Sequence, residues 1–149
     1  MYRLVSTLSG PRQDWSSVTA VAVFADGKRF ASGGHRGTVK IWDAESGEEL
    51  RTLSGHSSSV HAVAVFPDGK RVVSGGYDET VKIWNANTGA LLHTLSGHSD
   101  AVICVAVFPD NTKILIAGYS RMLKIWDAVS GEEIYAFSRD IFHDVLEFV

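Results

Sequence analysis

The stretch Val60-His61-Ala62-Val63-Ala64-Val65-Phe66-Pro67-Asp68-Gly69-Lys70-Arg71-Val72-Val73-Ser74-Gly75 decides the fold. Val60 to Phe66 is an apolar, β-branched run, and Pro67-Asp68-Gly69 ends it. Asp-Gly between two apolar runs is a strong hairpin signal. Arg71 to Gly75 then reads as a returning strand. Tyr77-Asp78-Glu79 turns the chain again, and Thr80-Val81-Lys82-Ile83-Trp84 alternates as a third strand. Asn85 to Gly89 is rich in turn formers, and Leu91-Leu92-His93-Thr94-Leu95 is a fourth strand. No segment sustains a 3.6-residue apolar period, and turns come about every 10 residues, so the sequence predicts an all-β chain.

The same pattern occurs three times. Trp42, Trp84 and Trp126 stand 42 residues apart, and each follows Lys-Ile. Val21-Ala22-Val23-Phe24, Val63-Ala64-Val65-Phe66 and Val105-Ala106-Val107-Phe108 recur at the same offset, as do Leu53-Ser54-Gly55-His56 and Leu95-Ser96-Gly97-His98. The repeats run over about 11–52, 53–94 and 95–138 within a single region, 1–149. A four-stranded sheet of this size cannot bury both faces alone. It needs a neighbour like itself, and radial stacking of such sheets is one solution.

Composition agrees with a globular chain and narrows its chemistry. Hydrophobic residues make up 45% and charged residues 21% of 149, and the net charge is −3. That balance disfavours a nucleic-acid partner held by bulk positive charge and leaves no polybasic membrane patch. The apolar run from Ala101 to Phe108 is far short of the ~20 residues a membrane helix needs. Met1 to Thr7 has no apolar core of the secretory type, and Cys104 has no partner for an internal disulfide. A cytoplasmic or nuclear setting is expected.

A period of about 40–45 residues with Gly-His early and Trp-Asp late marks one propeller class. With Trp42-Asp43, Trp126-Asp127 and the near match Trp84-Asn85, the sequence resembles the WD-repeat (Trp-Asp) family of β-propellers from about Leu4 to Ser138. The resemblance implies consecutive four-stranded antiparallel blades, three repeats forming an open arc or part of an oligomeric ring. It also implies a non-catalytic scaffold that binds a protein or peptide partner, with no cofactor and no metal.

In this family a buried hydrogen-bonded tetrad commonly staples each blade. The middle repeat resembles it best, with His56, Ser74, Asp78 and Trp84. The chemistry is self-consistent: an indole N–H, a hydroxyl, an imidazole and a carboxylate form a donor–acceptor chain. The same residue types make a Ser-His-Asp triad, yet Ser74 sits inside an apolar strand with no nucleophile elbow. The flanking repeats depart from the pattern. His98 and Trp126 remain in the third, where Ile116 replaces the serine and Ser120 the aspartate. Ser32 and Trp42 remain in the first, where Asp14 and Arg36 fall at the histidine and aspartate positions. Asp14 and Arg36 form a candidate charge pair; the alternative is that both are solvated loop charges.

His35, Tyr77 and Tyr119 recur just before the second turn of each repeat. By the family resemblance this position faces the upper rim of the propeller, where aromatic polar residues suit partner contacts; the alternative is an ordinary turn residue. Trp15, Ser17, Ser57, Ser59, Ser99 and Ala101 lie near the same rim. His56/His61 and His93/His98 are five residues apart, which fits no metal-ligand rule. Gly33-Gly34 and Gly75-Gly76 lack the Gly-Lys-Ser/Thr ending of a phosphate loop and read as points of close backbone approach.

The repeat phase makes residues 2–8 an N-terminal fourth-type strand and leaves a tail, 139–149, that reads either as the start of another first-type strand or as a helical turn. Closed propellers need about 4–8 blades. The chain is therefore expected to be a piece of a longer propeller, a vestigial fragment, or a unit that closes a ring with copies of itself. A propeller-based hydrolase is the remaining alternative.

Overall fold

A computed structural model of the chain describes residues 18–96, 98, 100–119 and 122–137. Residues 2–8 and 139–149 lie outside it. Twelve strands form three antiparallel four-stranded sheets. The first holds β1 (Val18–Val23), β2 (Arg29–Gly34), β3 (Thr38–Asp43) and β4 (Glu49–Ser54). The second holds β5 (Val60–Val65), β6 (Arg71–Gly76), β7 (Val81–Asn85) and β8 (Leu91–Leu95), and the third β9 (Val102–Val107), β10 (Lys113–Gly118), β11 (Leu123–Asp127) and β12 (Glu133–Phe137). Each sheet is a simple meander in chain order, and no helix occurs among the described residues.

Turn chemistry sets each hairpin. Gly69 takes φ 71, its N–H bonds Phe66 O at 2.8 Å, and Asp68 Oδ1 accepts from Lys70 N at 2.9 Å. A positive φ costs glycine nothing; in the third sheet Asn111 takes the same conformation, φ 65, as asparagine tolerates. The residue after each tryptophan caps the next loop. Asp43 Oδ1 accepts from Glu45 N and Ser46 N, Asn85 Oδ1 from Asn87 N and Thr88 N, and Asp127 Oδ1 from Val129 N and Ser130 N, all at 2.8–2.9 Å. Asn85 thus does the backbone work of an aspartate, which is why Trp84-Asn85 substitutes for Trp-Asp.

The sheets stack face to face as an open arc, with β1 and β2 against β5, and β5 and β6 against β9. Two cores result. Phe24, Ala31, Val39, Ile41 and Leu53 of the first sheet meet Val60, Val63, Val72 and Trp84 of the second. Phe66, Val73, Val81, Ile83 and Leu95 of the second meet Val102, Val105, Ile114, Ile116 and Trp126 of the third. Burying such side chains contributes about 1.5–3 kcal/mol each. Arginines tie the sheets at one edge: Arg29 Nη2 donates to Gly69 O (3.3 Å), and Arg71 Nη2 to Asn111 O (2.9 Å). β1, β5 and β9 each carry a bulge at their second residue, Thr19, His61 and Ile103. A bulge turns that side chain out of the alternation.

Candidate functional site

The second sheet assembles a closed polar chain. Ser74 lies mid-strand in β6 opposite Lys82, and its side chain is fully buried. Trp84 Nε1 donates to Ser74 Oγ at 2.9 Å, and Ser74 Oγ donates to His56 Nε2 at 2.7 Å. His56 Nδ1 donates to Asp78, 2.9 Å from Oδ2 and 3.1 Å from Oδ1. Asp78 is held in turn by Thr80 Oγ1 (2.8 Å), Thr80 N (3.2 Å) and Ser57 N (3.1 Å). Thr80 is a fifth member that the sequence reading missed; its signal is a hydroxyl two residues after the aspartate.

Electrostatics keep the imidazole of this network neutral. Burial pulls the His56 pKa below its ordinary value, against the opposing pull of Asp78. Burial works to raise the Asp78 carboxyl, but the Thr80 hydrogen bond and the His56 contacts leave it lowered. His56 and Asp78 therefore meet as neutral imidazole and carboxylate, a hydrogen bond rather than an ion pair. A nucleophilic role has no room here: Ser74 is 0% exposed and Trp84 1%, so a substrate carbonyl has no approach to Oγ.

The flanking sheets show only part of this set among the described residues. Trp42 Nε1 donates to Ser32 Oγ at 2.9 Å in the first. Arg36 is exposed in the β2–β3 turn, while Asp14 lies outside the described residues, so their pairing stands as an expectation. In the third sheet the buried Ile116 occupies the serine place, and Ser120 is outside the described residues. His98 and Trp126 still lie together, with ring centroids 5.4 Å apart, but His98 Nε2 and Trp126 Nε1 are buried without a hydrogen-bond partner among the described residues.

The rim positions come together across sheets. Tyr77 and Tyr119 stack with centroids 5.9 Å apart and planes 8° from parallel, and their hydroxyls hydrogen-bond at 2.9 Å. They are 41% and 55% exposed. Backbone bonds hold both turns: Tyr77 N to Ser59 O (2.9 Å) and Tyr119 N to Ala101 O (3.2 Å). Ser59 is buried, and its Oγ donates to His35 O at 3.1 Å, with His35 Nδ1 also 3.1 Å away. The bulged His61 meets Tyr77 edge-on at 3.9 Å; sequence reading weighed it only as a metal ligand. Ser57 is exposed and gives its N–H to Asp78. Trp15, Ser17 and Ser99 lie outside the described residues. Among those residues no group of three His, Cys, Asp or Glu is placed to hold a metal, and no helix is long and apolar enough to cross a membrane.

Comparison with known proteins gives a consistent picture. The sequence model of one family, WD domain, G-beta repeat, matches residues 2–43, 47–85 and 89–127. An uncharacterized WD repeat-containing protein of Nostoc sp. is 50% identical over 42 residues, 28% of this chain and 3% of that protein. Nuclear distribution protein PAC1-2 of Postia placenta is 56% identical over 36 residues, 24% of this chain and 8% of the relative. The human dynein assembly factor with WD repeat domains 1 is 49% identical over 39 residues, 26% and 9% respectively. The matched stretch is thus a small part of each relative. The solved structure of U3-55K superposes with TM-score 0.79 at 27% identity, covering 82% of this chain and 39% of that one. The RRP9 WD40 repeats match with TM-score 0.79 at 28% identity, covering 82% and 38%.

Proposed function

The chain belongs to the WD domain, G-beta repeat family, and on that premise we propose that it is a non-catalytic scaffold whose rim receives a protein or peptide partner. The observation that carries this reading is the Tyr77–Tyr119 pair. Two half-exposed aromatic rings are locked parallel across two sheets, with hydroxyls already bonded to each other. Aromatic side chains offer large contact area, and rings fixed in advance lose little freedom on binding. His35 and Ser59 extend the same rim over the first sheet, and Ser57 borders it. The buried tetrad supports the rim from below, since Asp78 directly follows Tyr77 and is fixed by His56 and Thr80. A cytoplasmic or nuclear setting is part of the proposal, supported by an exposed free thiol, Cys104, which suits a reducing compartment.

Selection from a displayed peptide library tests the reading. The chain should enrich a defined consensus, and a Tyr77→Ala/Tyr119→Ala variant with unchanged melting should bind those peptides at least tenfold more weakly. Enriched peptides that bind the variant equally well would remove the rim from the reading. A library that yields no consensus would favour a fragment without a partner of its own.

A further inference from the structure

Each sheet carries a lysine two residues before its tryptophan: Lys40, Lys82 and Lys124. In the first sheet Lys40 Nζ lies 2.6 Å from Glu49 Oε1, and Thr52 Oγ1 donates to the same oxygen at 2.7 Å. In the third, Lys124 Nζ lies 3.0 Å from Glu133 Oε1. Glu49 and Glu133 are the first residues of β4 and β12, each opposite its tryptophan. In the second sheet that place, opposite Trp84, belongs to Leu91, which is 46% exposed. Lys82 therefore keeps the setting without the acid. It is only 8% exposed, and among the described residues its Nζ has one hydrogen-bond partner, the hydroxyl of the exposed Thr94 at 3.1 Å. Thr94 is the counterpart of Thr52. An ammonium carries three donors, and a lysine held this far out of water is normally paired with an opposite charge.

We propose that Lys82 and Thr94 form a docking site for an acidic side chain of a protein partner, whose carboxylate takes the place that Glu49 and Glu133 fill in the other two sheets. The ammonium and the hydroxyl offer a carboxylate the same pair of groups that Lys40 and Thr52 offer Glu49, and a charge-assisted bond of this kind is among the stronger ones. The exposed Leu91 decides the source of that carboxylate. The methylenes of an Asp or Glu side chain, or an apolar neighbour in the same segment, pack on the leucine. A free anion would lose hydration against it for no return. Backbone geometry agrees: β8 pairs with β7 alone among the described residues, so its outer edge can take an extended segment as an added strand. Glu49 and Glu133 repel the same segment from the matching edges of the first and third sheets, which makes the site single. It shares no residue with the aromatic rim and goes beyond the function proposed for it.

Titration of the full chain, followed by NMR at the Lys82 side-chain Cε–Hε signals, tests this without touching the rim. The probes are the capped peptides Ac-Leu-Glu-Leu-NH2 and Ac-Leu-Gln-Leu-NH2, and acetate. The glutamate peptide should shift the Lys82 signals saturably, at a concentration at least threefold below any response to the glutamine peptide or to acetate. Leu91→Glu supplies the carboxylate from within the chain and should abolish the shift, whereas Leu91→Gln should keep it. Position 91 is exposed, so neither variant threatens the fold. No response, or an equal response to the glutamate and glutamine peptides, overturns the proposal. So does a shift that survives Leu91→Glu or that Leu91→Gln also removes. Acetate acting as strongly as the glutamate peptide would make this a site for free anions and overturn the partner as its occupant.

Discussion

Trp84 and His56 share one acceptor–donor, the Ser74 hydroxyl, which takes the indole N–H at 2.9 Å and passes its own proton to the imidazole at 2.7 Å. Ser74→Ala would strand both nitrogens in a site that water does not reach. The expected cost is about 1–3 kcal/mol, the penalty for buried groups left unpaired. A urea titration should show a lower midpoint with an unchanged slope. An unshifted midpoint would mean the hydroxyl holds nothing together.

The third sheet offers the reverse experiment. Ile114 and Ile116 are both buried, but only Ile116 stands where a hydroxyl would reach Trp126 Nε1 and His98 Nε2, both without partners among the described residues. Ile116→Ser loses apolar burial and satisfies stranded polar atoms, whereas Ile114→Ser only loses burial. Ile116→Ser should therefore cost at least about 1 kcal/mol less than Ile114→Ser, read from paired unfolding curves. Equal costs would count against the orphaned pair.

Acid should loosen the third sheet before carboxylates titrate. Burial, then the Lys124 charge, lowers the His98 pKa to about 4 from the ordinary 6.5, with Glu133 opposing; burial lowers His56 as well. The unfolded chain takes up protons near pH 6.5 while the folded chain keeps both rings neutral. Their contribution is full above about pH 6.5 and is lost as pH falls toward 4. The melting temperature should be flat from pH 8 to 7 and then decline. His98→Gln should decline less over the same window, and an equal decline would remove His98 as a source.

Gly33 is required by proximity rather than by backbone angle. Gly33→Ala places a methyl 2.6 Å from Val60 Cγ1 and should cost about 1–3 kcal/mol, as overpacking does. Val60→Ala in the same chain should recover part of that loss, measured as a double-mutant cycle. Gly27 has open space around it and φ 69, so Gly27→Ala should cost only the roughly 1–2 kcal/mol of a left-handed alanine, with no rescue from any neighbour.

Strands, turns and the 42-residue period were legible in the sequence because each depends on residues within one hairpin. The family resemblance put Trp84 and Ser74 in one polar set, and Asp68-Gly69 closed the turn between β5 and β6. The glycines of Gly33-Gly34 and Gly75-Gly76 also announced close approach, without saying to what. The contact of His61 with Tyr77 was not legible, because it depends on a bulge set by pairing with β6. Thr80 was missed because its bond to Asp78 depends on the shape of one turn.

What the sequence determined by itself was the unit, a four-stranded antiparallel sheet and its turns; the polar set of the middle repeat came from the family resemblance. The sheet and its turns follow from local backbone preference and alternation, which act over a few residues. The stacking decided the rest. Only tertiary structure brought Tyr77 to Tyr119 and Ser59 to His35, and set valines of one sheet on glycines of another. Those relations join residues some 24 to 42 positions apart, and only the packing of apolar faces out of water fixes them.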